Sequence, residues 1–90
     1  MGLIAKKLAE KLTEAFLPLI LDIVDDSARH AGHGGAAPGG ETHFNIAITS
    51  AAFSGVGRVA RQRMVYRVLA AELAGPVHAL SLIARAPGEI

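Results

Sequence analysis

Residues 42–50 alternate without a break: Phe44, Ile46 and Ile48 fall on one side, and His43, Asn45, Ala47 and Thr49 on the other. A period of two over this length predicts a strand buried on one face only. Downstream, residues 58–74 place Val65, Val68, Leu69 and Leu73 at helical spacing, with Gly75-Pro76 as the stop. Residues 77–84 then return to an apolar, strand-like run. This strand–helix–strand order is the strongest constraint in the chain. If the two strands are neighbours, a helical crossover makes them parallel.

The remaining segments fit around that unit. Ile4, Leu8, Leu12 and Ala15/Phe16 repeat at helical spacing, with Lys6, Lys7, Glu10, Lys11 and Glu14 on the other faces. Pro18 should end this helix at about Leu17, because a residue preceding proline is pushed out of the helical region. Residues 19–24 read as a short strand bounded by Asp25-Asp26-Ser27, where Asp26 or Ser27 is expected to cap the turn. Residues 28–41 hold five glycines and a proline and predict a loop, flexible in the free chain. Residues 51–57 form a turn region anchored by Phe53, with a helix break near residues 55–57, and Pro87 and Gly88 mark a frayed end. The predicted order is α-β-β-α-α-β: an α+β fold with one domain over residues 1–90, built around a single core.

Topology draws the histidines together. The 28–41 loop enters at the start of the second strand, and His78 stands at the start of the third. Parallel strands begin at the same edge of a sheet. All four histidines of the chain (His30, His33, His43 and His78) are therefore expected at one edge.

Several function classes are excluded by composition. With no cysteine, this chain has no disulfide framework and cannot by itself hold a Cys-type zinc site or a thiolate-bound iron–sulfur cluster. The lack of cysteine also fits a reducing compartment. A net charge of +1 provides no global field toward nucleic acid or an anionic membrane. Charge is nonetheless polarised: Arg58, Arg61, Arg63 and Arg67 lie in one stretch without an acid, whereas residues 10–26 carry five acids against Lys11. No apolar run approaches a membrane span, and the N-terminal residues lack the order of a signal peptide. A cytoplasmic protein with no membrane partner, monomeric or weakly dimeric alone, is the expectation. Enzyme readings are poor, since Ser27, Ser50 and Ser54 lack any nucleophile signature and no phosphate-binding glycine motif joins a strand to a helix. Asp25 and Asp26, on opposite faces of a strand, cannot chelate one cation together.

Five strings resemble the BolA-like family in that family's order. They are Asp25-Asp26-Ser27 followed by His30-Ala-Gly-His33; Gly40-Glu41-Thr42-His43-Phe44; Ser50-x-x-Phe53-x-Gly55; Arg58-Val59-x-Arg61-x-Arg63; and Val77-His78-Ala79-Leu80-Ser81. The resemblance spans roughly residues 15–88. Gln62 departs from it, standing where the family usually has histidine. The resemblance implies a class II K-homology-like fold, a three-stranded mixed sheet with helices on one face. It also implies a non-enzymatic partner of monothiol glutaredoxins that shares a bridging [2Fe–2S] cluster with glutaredoxin and glutathione, in cluster trafficking or iron and redox regulation. In those terms His78 is one ligand and His30 the second, with His33 as its alternate.

The bland reading of each residue stands beside the functional one. His78 could be a packed strand histidine on the face of Leu80 and Leu82, and His30 and His33 could be solvated loop residues. His43 reads either as a half-exposed histidine closing the sheet edge or as a residue orienting a ligand. The arginines at 58, 61, 63 and 67 read as a solvated helix face or, since the family has proposed DNA binding, as phosphate contacts. Against the latter, only Tyr66 interleaves with them, and Gly55-Val56-Gly57 is spaced too tightly for a nucleotide-clamping Gly-x-x-Gly loop.

Overall fold

The computed structural model describes residues 2–27 and 40–89. Helix α1 (Leu3–Phe16) buries Ala5, Leu8, Leu12 and Phe16. Ala15 is exposed and Ile4 half-buried, so the inward stripe runs through Ala5 and Phe16. The helix ends at Leu17, which adopts a left-handed conformation at φ 46° and donates its N–H to the Thr13 carbonyl. Pro18 prevents any continuation.

Strands β1 (Ile20–Asp25), β2 (His43–Thr49) and β3 (Ala79–Arg85) form one sheet in the order β1-β2-β3. β1 is antiparallel to β2, and β3 is parallel to it, as the crossover argument requires. Register pairs Ile23 with Ile46, Phe44 with Leu80, and Ile48 with Ala84. These residues share the inner face, where Phe44, Ile46 and Ile48 are buried against the helices. The outer face carries the other parity, including the exposed Ile20, Val24 and Ile83.

A short 3-10 turn (Ala51–Phe53) follows β2. Ser50 fastens it by accepting the Ala52 N–H and by donating its hydroxyl to the Phe16 carbonyl at 2.6 Å. Phe53 is fully buried, with its ring centroid 5.1 Å from that of Phe16. The break at residues 55–57 separates this turn from α2 (Arg58–Val68), with Gly57 as N-cap. A second break, which periodicity does not announce, falls at Leu69 before α3 (Ala70–Ala74). Leu69 is completely buried, so the kink occurs where the helix turns its side chain into the core.

β3 starts two residues later than predicted. Val77 donates to the Glu72 carbonyl and His78 to the Thr42 carbonyl, so both are used in the approach to the strand. The C-terminal residues are folded back, not frayed. The Glu89 N–H bonds the Ala86 carbonyl across Pro87 and Gly88, and Gly88 has φ 88°. Proline followed by a positive-φ glycine is the type II turn pattern.

A partly buried ion pair joins distant elements. Lys11 Nζ on α1 lies 2.8 Å from the carboxylate of Glu72 on α3, which is 5% exposed.

Candidate functional site

His43 and His78 meet at the edge of the sheet where β2 and β3 begin. Their ring centroids are 6.2 Å apart and the rings stand nearly perpendicular, at 73°. Two backbone features bring them together: parallel pairing aligns the strand starts, and Thr42 O accepts the His78 N–H at 2.8 Å and the Ala79 N–H at 3.2 Å. His78 is exposed, unlike Leu80 and Leu82, because it precedes the strand and its pleat. His43 is half-buried, and its Nδ1 lies 2.9 Å from Thr42 Oγ1, which orients the ring.

The surrounding scaffold is polar and well connected. Ser27 Oγ is buried and accepts the N–H groups of Thr42 at 2.9 Å and of His43 at 3.2 Å. Asp25 also caps the turn, and Ser27 contributes as an acceptor for β2. Asp25 Oδ1 accepts the Ser27 N–H at 2.9 Å and Oδ2 accepts the Glu41 N–H at 3.0 Å. Hydrogen bonding, foremost from Ser27, holds the Asp25 carboxyl below its ordinary pKa range. Donors aimed at a carboxylate favour its charged form.

Ser27 and Gly40 flank residues 28–39 and come together at this same edge. A Cβ built on Gly40 would lie 3.8 Å from the Ser27 Cβ. His30, His33 and most of the expected flexible loop lie outside the described residues. Two of the four histidines expected at one edge are therefore seen there, at the place where the intervening segment leaves and returns. Among the described residues, no three metal-ligating side chains are grouped. An exposed imidazole beside a second imidazole is donor chemistry that suits borderline iron, with coordination left for other ligands. The chain's residues thus fit part of a cluster's ligand set.

The arginines of α2 divide into two groups. Arg58, Arg63 and Arg67 are exposed. Arg61, expected among the arginines open to phosphate, is committed internally instead. Its Nε donates to Val56 O at 2.7 Å and its Nη1 to Ala84 O at 3.1 Å. Nη1 and Nη2 grip the Glu89 carboxylate at 2.6 and 2.8 Å. No local sequence pattern marks Arg85, Glu89 or the Ser27–Thr42 contact. Only the Pro87-Gly88 pair carried a signal, because it is what folds Glu89 back onto Arg61. Gln62 donates to the Tyr66 hydroxyl at 3.1 Å.

Comparison with known proteins agrees with this geometry. The chain is 41% identical over 88 residues to human BolA-like protein 1, covering 98% of this chain and 61% of that protein's length. It is also 41% identical over 80 residues to the DNA-binding transcriptional regulator BolA of Escherichia coli, covering 89% and 72% of the two chains. SufE-like protein 1, chloroplastic/mitochondrial, of Arabidopsis thaliana is 43% identical over 88 residues, of which this chain spans only 24% of the length. The solved BolA domain of SufE1 from Arabidopsis thaliana superposes with a TM-score of 0.89 at 41% identity, covering 100% of this chain and 99% of that one. Residues 12–89 match the family described as BolA-like protein, and with the mixed sheet and the paired strand starts this match places the chain in the BolA-like family.

Proposed function

We propose that this chain is a non-enzymatic adaptor that binds a monothiol glutaredoxin and co-ligates a bridging [2Fe–2S] cluster, in cluster trafficking or in iron and redox regulation. The observation that carries the reading is the exposed His78 at the sheet edge, 6.2 Å from His43, where the segment bearing His30 and His33 enters and leaves. In this reading His78 is one ligand and His30 the second, with His33 able to substitute. Thiolates come from the glutaredoxin cysteine and from glutathione, since this chain has none. Histidine ligation makes such a cluster easier to release than an all-thiolate one, because protons compete for imidazole. His43, tied to Thr42, orients the edge. A cysteine-free chain suits a reducing aqueous compartment, and among the described residues no helix is long and apolar enough to cross a membrane. We take that compartment to be the cytoplasm.

The test is visible absorption and circular dichroism of the chain mixed with a monothiol glutaredoxin, glutathione and iron–sulfur donor. A spectrum unchanged by His78→Ala would overturn the ligand assignment.

A second reading is favoured by the Escherichia coli relative's name: DNA binding through α2. With Arg61 occupied, Arg58, Arg63 and Arg67 are the contacts it has to use. Titration against duplex DNA at two salt concentrations separates the readings, because phosphate contacts release counterions and weaken steeply with salt.

A further inference from the structure

A cleft of about 610 Å³ lies between the first turn of α2 and the end of β3. Arg58, Arg61, Gln62, Arg85 and Glu89 supply its polar lining, with Val56 and Ile83 among its apolar walls. The cleft already holds one anion, the carboxylate of Glu89. That carboxylate is bound by both terminal nitrogens of Arg61 and by the Ala86 N–H at 2.9 Å. A guanidinium fork with a backbone N–H beside it is an arrangement suited to planar and tetrahedral oxyanions. These contacts, led by the Arg61 hydrogen bonds, hold the Glu89 carboxyl at a pKa of about 2.

Three guanidiniums against one carboxylate leave two positive charges in the cleft. Nothing in the first turn of α2 offsets them. No acid stands there, and no side chain caps its N-terminal N–H groups, which add partial positive charge of the same sign. The charges converge on a concavity within the size range of small-molecule sites. Arg63 and Arg67, the arginines an extended nucleic acid would also use, are outside it.

We propose that this cleft binds a small organic phosphate, with Arg58 and Arg85 as the anion contacts, Gln62 as a hydrogen-bonding neighbour and Glu89 as an internal competitor for Arg61. A phosphate monoester is favoured over a carboxylate because two uncompensated charges call for a dianion. Glu89 sets the affinity: while it occupies the Arg61 fork, the incoming phosphate has Arg58 and Arg85, and when it is displaced the phosphate gains the third guanidinium. This site is separate from the histidine edge and does not rest on the cluster reading.

Amide NMR and calorimetric titration of the full chain test it, using pyrophosphate and AMP as probes and a short DNA duplex as the competing arm. Pyrophosphate or AMP should give saturable shifts confined to residues 56–62 and 82–89. Glu89→Gln should tighten binding by roughly threefold to tenfold, since one negative charge leaves the cleft. Arg58→Gln combined with Arg85→Gln should weaken it by about tenfold or more. Arg63→Gln combined with Arg67→Gln should leave it unchanged. The proposal is overturned if neither probe saturates with wild type or Glu89→Gln, or if Glu89→Gln binds no more tightly. It is equally overturned if only the duplex binds and the Arg63/Arg67 change removes that binding. Cluster assembly with glutaredoxin is read separately, through His78→Ala and visible circular dichroism, so failure here and failure of the adaptor reading remain distinguishable.

Discussion

Glu41 caps a helix from 37 residues away, its Oε2 accepting the backbone N–H of Ile4 at 2.9 Å. The same oxygen accepts the Ala5 N–H at 3.0 Å. Helix α1 has no cap of its own, since Gly2 offers no side chain and the first turn has no acid. A carboxylate at that end satisfies orphan donors and complements the helix dipole. Glu41 holds a left-handed backbone, φ 61°, to do so, and donates its own N–H to Asp25. The exit of the 28–41 segment is thereby tied both to α1 and to the turn after β1.

Replacing Glu41 with alanine should therefore destabilise the fold by about 1 kcal/mol, the usual worth of a lost helix cap. In a domain of this size that lowers the melting temperature by roughly 4–8 °C. Glu41→Gln should recover part of the loss, because an amide oxygen still accepts the two N–H groups. Thermal unfolding followed by circular dichroism checks the order: wild type above glutamine above alanine. A Glu41→Ala chain as stable as wild type would show that these bonds contribute nothing net.

The Lys11–Glu72 pair gives a second ordering. Glu72 is buried at 5% exposure, and Lys11 reaches it from α1 with its stem partly in water. Removing only the lysine leaves a buried carboxylate uncompensated, whereas removing both charges leaves none. Lys11→Met should cost about 2 kcal/mol, below the fully buried range because water still reaches the site. Lys11→Met combined with Glu72→Gln should cost less than Lys11→Met alone. Urea unfolding of the single and double variants measures the coupling directly.

What the sequence disclosed and what it withheld follow the range of the interactions. The period-two run at Phe44, Ile46 and Ile48 and the helical stripe through Val65 and Leu69 are local patterns, and all five residues are buried in the core. Parallel pairing of β2 with β3 follows from the helical crossover between them, and with it the meeting of His43 and His78. The Lys11–Glu72 and Arg61–Glu89 pairs span 61 and 28 residues, and no periodicity carries such information. Leu69 looked like one more residue in a continuous stripe, since a kink that buries a leucine preserves the stripe. No local pattern marks Asp25 as a cap, because one of its oxygens turns toward a segment that returns 16 residues later.

Within the adaptor reading, the histidines should differ in weight. His78 is held by its backbone bond to Thr42 at the start of β3, so His78→Ala should abolish the stability of the mixed cluster. His30→Ala should weaken it, because His33 lies three positions away and can replace it. The His30/His33 double change should then resemble His78→Ala. His43→Ala should leave the cluster's spectrum in place and speed its decay, as expected for loss of an orienting neighbour. Decay of the visible circular dichroism signal in each mixed complex ranks the four. Equal decay in His30→Ala and wild type, together with a silent double change, would remove the loop from the ligand set.

Acid should release the C-terminal turn late. The hydrogen bonds from Arg61, with a further bond from the Ala86 N–H, lower the Glu89 carboxyl from an ordinary value of 4.5 to about 2. A depressed carboxyl pKa means that the ionised form is favoured in the fold. The contribution of Glu89 to stability is thus complete above about pH 4.5, shrinks below that, and is gone once pH falls through about 2. Its size is small, because the carboxylate is 44% exposed and solvent screens such pairs. Position along the pH axis is the sharper readout. A carboxyl-detected NMR titration of Glu89, with the Ala86 amide as reporter, should show a midpoint near 2 and a second, ordinary midpoint after Arg61→Gln. A wild-type midpoint above about 4 would mean that the Arg61 fork does not hold Glu89 in solution.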